Sequence, residues 1–592
     1  MEDLPLLAID RLADDVVLRI LLQLPELECW AACELVCRGW RALVRDNRTR
    51  IAVTVPFSSV DRVSWQLGDA DDGDDDEDGP QQKVSLLMRA LMAAERSAQP
   101  LVELRVNCAS SHVTPRFWSN REIKAFTQVV KDAASSLEML EVTGPAGFFP
   151  SASHASGRRR EPISESRELD PALEALFEAA CESEDRASPL RHMDVSWTDA
   201  ASGSRIGELL TCCGTMEALR LGGCTTLHEL QFHDGVEIVK PHLRELLLPS
   251  CYSGKVDAPV ALFTTSFSSH GGATTVDAPP VDALSQDVRA FASLTALDLS
   301  QVRFTPRGLQ EVFRTNPPLC KRLRRLGLAG HTGLPSRMFA HALCVCERLT
   351  AVDFSSSLIG DDAIRQAAID APSHLAQLAE VDLTECSSIT DHGVAELCTA
   401  AGPTLRALAL GGAFSPLSDE AAIALGKRCS APLARLTMRA KQLNEGLVAL
   451  APIAASLDVL DLCGCDSLQR EPLGRVLPRT GPGCGARLRV LRLRSCADAV
   501  TEDLLADFLP RAHSLEELDV AYCTKLTDMA CVLLASGRAR ALRKLRRLDV
   551  TGCHRFTERG RRQLQGTYPP AVLIGAEDDE EEMGAAMNKL KL

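Results

Sequence analysis

Aromatic side chains are scarce in this 592-residue chain, at 4% of the total with three Tyr. A core without rings must be built from Leu, Ala, Val and Cys, which suits thin, repeated layers better than one deep globule. No apolar run approaches the roughly 18 residues that a membrane span needs, so no membrane contact is expected. The first residues include Asp3, Asp10, Asp14 and Asp15, where a secretory leader would place basic and then apolar residues. A phosphate-binding Gly-x-x-x-x-Gly-Lys-Ser/Thr loop, a His-Glu-x-x-His pair and a Gly-x-Ser-x-Gly elbow are all missing. Neither catalysis nor a cofactor is expected. Cysteine is plentiful, with 22 in the chain, but scattered, and a large Leu-rich chain of this kind reads as reduced and cytoplasmic or nuclear.

Negative charge is unevenly placed. Of the formal net charge of −15, eight acids lie in Asp69–Asp78 and six in Glu577–Glu582. The remainder is close to neutral, so there is no basic footprint for nucleic acid. The two acidic runs are read as solvated segments whose like charges resist packing.

Residues 11–50 read as a small helical unit. Val16, Val17, Ile20, Leu21 and Leu24 recur at helical spacing behind Asp14 and Asp15, and Pro25 ends that helix. A second apolar stretch runs from Cys29 to Val36, and Trp40 closes a third. Leu12-Ala13-Asp14-Asp15, Ile20-Leu21, Leu24-Pro25 and Val36-Cys37-Arg38-Gly39-Trp40 together resemble an F-box. Ala13 stands where that family usually has proline, and the stretch from Leu24 to Val36 is one residue longer than its common pattern. The resemblance implies docking on a Skp-family adaptor, and through it on a cullin-RING complex. It places Leu12, Ile20, Leu21, Leu24, Val36 and Trp40 on the family's apolar, adaptor-binding pattern.

From residue 99 to 566 the chain repeats Leu-x-x-Leu-x-Leu, often with a Cys eight residues after the first Leu. Clear copies begin at Leu378, Leu457, Leu488, Leu515 and Leu545, and weaker ones at Leu294, Leu323, Leu349, Leu405 and Leu433. Leu190, Met216 and Leu243 start further copies, and Leu101 and Leu137 are plausible first units. Wide gaps near 144–170 and 252–290 are read as loop insertions, 51–98 as a linker and 567–592 as a disordered acidic tail. Each unit predicts a short strand with Leu inward, then a helix capped as in Thr390-Asp391 or Thr527-Asp528. One unit cannot bury its apolar face alone, whereas stacked units can. The expected fold is therefore α/β: a curved parallel sheet with outer helices, preceded by the all-α F-box. The pattern is similar to the cysteine-containing leucine-rich-repeat class.

Cys224, Cys251, Cys386, Cys465, Cys496, Cys523 and Cys553 occupy one position of successive repeats. A line of thiols is not a tetrahedral cluster, so no metal is expected. Asp194, Asp298, Asp353, Asp382, Asp461, Asp519 and Asp549 form a second row on the expected concave face, where Arg492 should fall between Asp461 and Asp519. Arg435, Arg439, Arg494 and Arg547 join that face. Arg435, Arg439, Asp461, Arg492, Arg494, Asp519 and Arg547 are thus the candidate substrate contacts, either for an acidic or phosphorylated segment or as charges that neutralise one another.

Together these features imply a non-catalytic substrate receptor of a Skp–cullin–F-box ubiquitin ligase, with an unidentified protein substrate. The alternative is an interaction scaffold, cytoskeletal or ciliary for example, with a vestigial F-box.

Overall fold

The structure is a computed structural model. It describes residues 50–55, 100–108, 120–143, 170–182, 189–196, 206, 209, 213, 215–221, 242–247, 293–300, and 306–575 apart from 430–431, 478–486 and 570–571. The chain divides into two compact units, Met1–Phe304 and Thr305–Leu592.

The described strands of the first unit are β1 (Arg50–Val55), β2 (Glu103–Cys108), β3 (Met139–Thr143), β4 (His192–Asp194), β5 (Ala218–Arg220), β6 (Glu245–Leu247) and β7 (Ala296–Asp298), each parallel to the next. Those of the second unit are β8 (Arg325–Gly327), β9 (Ala351–Asp353), β10 (Glu380–Thr384), β11 (Ala407–Gly411), β12 (Arg435–Arg439), β13 (Val459–Asp461), β14 (Val490–Arg492), β15 (Glu517–Asp519), β16 (Arg547–Asp549) and β17 (Leu573–Ile574). They too pair in parallel, in chain order. From β2 to β16, every strand starts two residues after a Leu or Met that begins a sequence repeat. This is a leucine-rich-repeat architecture. Two strands fall outside the range read from sequence: β1 opens the stretch read as a linker, and β17 extends the sheet past residue 566. Neither follows Leu-x-x-Leu-x-Leu, which is why the repeat pattern gave no sign of them.

The strand pattern follows from side-chain alternation. Val381 and Leu383 of β10 are buried, whereas Glu380, Asp382 and Thr384 are half-buried on the opposite, open face. Helices cover the Leu face. Asp391–Ala401 buries Val394, Leu397 and Cys398, and each buried Leu contributes about 1.5–3 kcal/mol.

Polar links bind each repeat to the next. Thr390 caps its own helix by accepting from the His392 N–H, as the sequence suggested. The neighbouring acids do something the sequence reading missed. Asp361 accepts from the Thr390 N–H at 2.9 Å and its hydroxyl at 2.5 Å. Asp391 takes the same two bonds from Ser418, and Asp528 from Thr557. The first-turn acid of one helix therefore holds the N-cap of the next.

The cysteine row is a second set of links. Sγ of Cys386, Cys465, Cys496, Cys523 and Cys553 donates to the backbone oxygen of Phe354, Met438, Leu462, Leu493 and Val520 at 3.0–3.4 Å. Burial pushes the Cys553 thiol up to about 12, so it keeps its proton at neutral pH and remains a donor. These thiols are thus more than small hydrophobes. Among the described residues, no group of three or more His, Cys, Asp or Glu is arranged to hold a metal ion, and no helix is long and apolar enough to cross a membrane.

Cys496 is fully buried. Cys496→Ala removes its sulfur and one donor to Leu462 O, and should cost about 1–2 kcal/mol. Cys496→Ser keeps a donor and should recover part of the loss. Urea unfolding of the three proteins measures this, and an alanine variant as stable as the parent would show the link to be idle.

Candidate partner-binding face

The Asp row caps strand ends before it does anything else. In seven repeats Oδ1 of the Asp accepts from the backbone N–H two residues on: Asp194 from Ser196, Asp298 from Ser300, Asp353 from Ser355, Asp382 from Thr384, Asp461 from Cys463, Asp519 from Ala521 and Asp549 from Thr551, all at 2.9–3.0 Å. One carboxylate oxygen is thus spent on the local turn, leaving Oδ2 for other partners.

Arginines take that second oxygen in the later repeats. Arg439 Nη2 lies 2.9 Å from Asp461 Oδ2. Arg494 reaches two strands, with Nε 3.1 Å from Asp519 Oδ2 and Nη2 2.9 Å from Asp549 Oδ2. Arg492 stands in register between Asp461 and Asp519. Its fork nevertheless turns to Glu517, at 2.8 and 3.1 Å, and stays 3.8 Å from Asp461. Glu517 is two residues before Asp519 on the same open face, and its longer side chain presents both oxygens to the guanidinium. Arg547 sits 3.9 Å from both Glu517 and Asp549. Arg435 is separate: it crosses the small Ala407 to meet Glu380 at 2.8 Å. The structure therefore joins six of the seven candidate substrate contacts, Arg439, Asp461, Arg492, Arg494, Asp519 and Arg547, with Glu517 as an added member, and leaves Arg435 paired elsewhere.

The three carboxylates beneath this network are nearly sealed, with Asp461 1%, Asp519 6% and Asp549 2% exposed. Burial alone would push the Asp461 carboxyl up, but the Arg439 hydrogen bond and the Cys463 contacts outweigh it and leave it below the usual carboxylate range. Asp382 occupies the same repeat position, where among the described residues no arginine hydrogen-bonds it and Arg439 acts only from a distance. Burial raises the Asp382 carboxyl, and its bonds from Thr384 only partly offset that. The arginine side chains stay about 39% exposed, so the network is a preformed, near-neutral surface with accessible guanidinium edges.

Beyond eight strands of the second unit the chain turns through positive-φ backbone. Three residues after the Asp position, Gly330, Ser356, Glu385, Gly412, Gly464, Ser495, Tyr522 and Gly552 all have positive φ. The geometry lets the N–H of that residue reach a backbone oxygen of the next repeat, as Tyr522 N does to Thr551 O at 2.7 Å. For a non-glycine residue it costs roughly 1–3 kcal/mol. Tyr522 is the largest residue so held. Its ring lies over Gly552, where an added Cβ would come within 2.5 Å of it. Arg494 stands 5.8 Å from the ring centroid, and 45% of Tyr522 is exposed. The sequence reading passed over Tyr522, although its place three residues after Asp519 was a findable signal. Leu12, Ile20, Leu21, Leu24, Val36 and Trp40 lie outside the described residues, as do Cys224 and Cys251.

Residues 9–51 match the family model of the F-box domain, so the chain carries an F-box at its front. No curated protein matches the chain. Among solved structures, a chain of the yeast Rad7–Elc1 complex is 18% identical, with 50% of this chain and 77% of that one covered at a TM-score of 0.38. An internalin from Listeria monocytogenes is 12% identical, covering 80% and 96% at a TM-score of 0.34. Likeness at that level bears on no functional point.

The two Asp positions give a paired pH experiment. Asn at either site keeps the Oδ1 acceptor. The folded-state pKa of Asp461 is lowered, so its contribution is present above the unfolded value and is lost as pH falls through the folded one. Asp461→Asn should therefore lower the melting temperature at pH 7, by an amount corresponding to about 1–3 kcal/mol, with the deficit shrinking on acidification. The folded-state pKa of Asp382 is raised, so its charge weakens the fold as pH rises through that value, and Asp382→Asn should hold or raise the melting temperature at pH 7. Equal losses in both variants would contradict the assigned roles.

Proposed function

We propose that this protein is the substrate-recognition subunit of a Skp–cullin–F-box ubiquitin ligase. The F-box at residues 9–51, placed ahead of a leucine-rich-repeat array, is the observation that carries this reading. In it, Leu12, Ile20, Leu21, Leu24, Val36 and Trp40 grip a Skp-family adaptor that bridges to a cullin-RING complex. A protein substrate rests on the open sheet face. The work done is recruitment: holding substrate near a charged conjugating enzyme raises its effective concentration, with no chemistry asked of this chain. Cytosol and nucleus are the compartments where such a complex operates.

The substrate contact is placed on β12–β16. Tyr and Arg are enriched among the residues that dominate protein interfaces, and Tyr522, Arg492 and Arg494 are partly exposed, the two arginines held from beneath by ion pairs and Tyr522 packed over Gly552. Because that holding is done in advance, little side-chain freedom is lost on binding.

Leu24→Asp/Trp40→Ala in the full chain should lower affinity for a purified Skp-family adaptor at least tenfold, while the melting transition of the repeat array is kept. Titration calorimetry measures the first and circular dichroism the second. Full adaptor affinity in the double variant, or none in the parent with the array folded, would end this reading.

A further inference from the structure

The arginines of β12–β16 are occupied, so the cations with no partner lie elsewhere along the array. Lys321 and Arg322 close the short helix Pro317–Arg322, Arg324 precedes β8, Arg325 begins it, and Arg348 lies in the turn before β9. All five are exposed. The backbone holds them side by side. Glu347 N donates to Cys320 O at 3.1 Å, and the N–H groups of Thr350 and Ala351 both donate to Arg324 O, at 2.8 and 2.9 Å. Arg348 is therefore fixed beside the Lys321–Arg325 stretch, one strand spacing of about 4.8 Å away. Glu347 is the single acid within these two turns. None of the five cations makes an ion pair with a described residue.

A near-copy of the segment shows what pairing would look like. Lys321-Arg322-Leu323-Arg324-Arg325-Leu326 recurs as Arg543-Lys544-Leu545-Arg546-Arg547-Leu548 at β16, in the same place relative to its strand. There the neighbouring repeat supplies Glu516 and Glu517, and Lys544, Arg546 and Arg547 lie in their field. At β8 it is the following repeat, at β9, that sets Thr350 and Ala351 alongside Arg324 and Arg325, and neither is acidic. The near-copy thus has two acids of the preceding repeat alongside it, whereas no acid of β9 stands beside the β8 segment.

We propose that the β8–β9 edge formed by Lys321, Arg322, Arg324, Arg325 and Arg348 is a docking site for an acidic segment of a partner protein, separate from the β12–β16 face. Four of the five are Arg, whose planar fork matches carboxylates two bonds at a time. Two neighbouring turns suit a short run of Asp and Glu lying across the strand starts. Nucleic acid fits less well. No aromatic side chain lies within these turns to stack on a base. The site does not depend on the F-box reading, because its test involves no adaptor.

Fluorescence anisotropy of a labelled Glu/Asp-alternating peptide against the full-length protein at low salt is the experiment. Arg322→Glu/Arg324→Glu should weaken binding at least about tenfold, as expected when charge-assisted pairs become repulsions. Arg348→Gln should weaken it less. The matched reversal at the copy, Lys544→Glu/Arg546→Glu, should leave it within about twofold. Circular dichroism confirms that each variant folds, and Arg348→Gln, which alters one exposed charge, keeps the test alive should the double reversal misfold. Equal losses at both hexapeptides, no loss at either, or no binding by the parent would overturn the proposal. So would tighter binding of a single-stranded oligonucleotide, which would make the occupant a nucleic acid. Peptide binding that emerges only after Glu577–Glu582 is neutralised would overturn it in favour of the chain's own acidic run.

Discussion

A parallel strand that stops after three residues leaves backbone groups beyond its ladder that its own repeat cannot satisfy, and this architecture rests on how the neighbouring repeat satisfies them. The answers are specific. A cysteine thiol donates to the oxygen just past the preceding strand, as Cys496 does to Leu462. A left-handed residue turns its N–H toward the next repeat, as Ser495 does to Ala521 O at 2.8 Å. A first-turn acid grips the next helix cap, as Asp391 does Ser418. Each link is worth little on its own, but an unmade one in a buried setting costs the full desolvation of the group. Neighbours are thereby tied in geometry as well as by the apolar contact of Leu on Leu.

That constraint explains the unusual use of cysteine. The position demands a side chain that donates one hydrogen bond in a place with almost no exposure, and whose remaining surface is apolar. A thiol meets both needs, and burial keeps it protonated. Serine would donate as well, but its hydroxyl is smaller and more polar than the thiol it would replace in a place with almost no exposure. The row of cysteines is therefore a structural device that runs along the array, and its regular spacing is the spacing of the repeats.

How much of this was legible in the sequence depends on how local the cause is. Leu378, Leu405 and Leu488 announced β10, β11 and β14 because strand burial is set by alternation within a few residues. The register that puts Arg492 between Asp461 and Asp519 followed from the same counting. Which acid Arg492 takes did not. Glu517 wins because its side chain is one methylene longer and rises to the level of the guanidinium, a matter of reach across strands that spacing does not encode. Arg494 was assigned to the right face, but its bridging of two carboxylates depends on Asp519 and Asp549 being adjacent and nearly sealed. Tyr522 was missed because hydrophobic pattern reading passes over loop residues, and the positive φ that marks it is visible only in the backbone.

Charge on this array is consequently a property of neighbours rather than of motifs. Two nearly identical basic hexapeptides start β8 and β16, and what separates them is the residue that the adjacent repeat places alongside. Arg547 of the β16 copy stands near Glu517 and Asp549, at the margin of a near-neutral surface where Arg contributes shape and hydrogen-bond donors. Thr350 and Ala351 leave the β8 copy with its full field. A preformed face with Tyr and paired Arg supplies specificity that salt screens weakly, while an unpaired basic edge supplies fast, salt-sensitive capture. Both rest on the same stacked backbone, so the distance between them is held by the inter-repeat links within one unit.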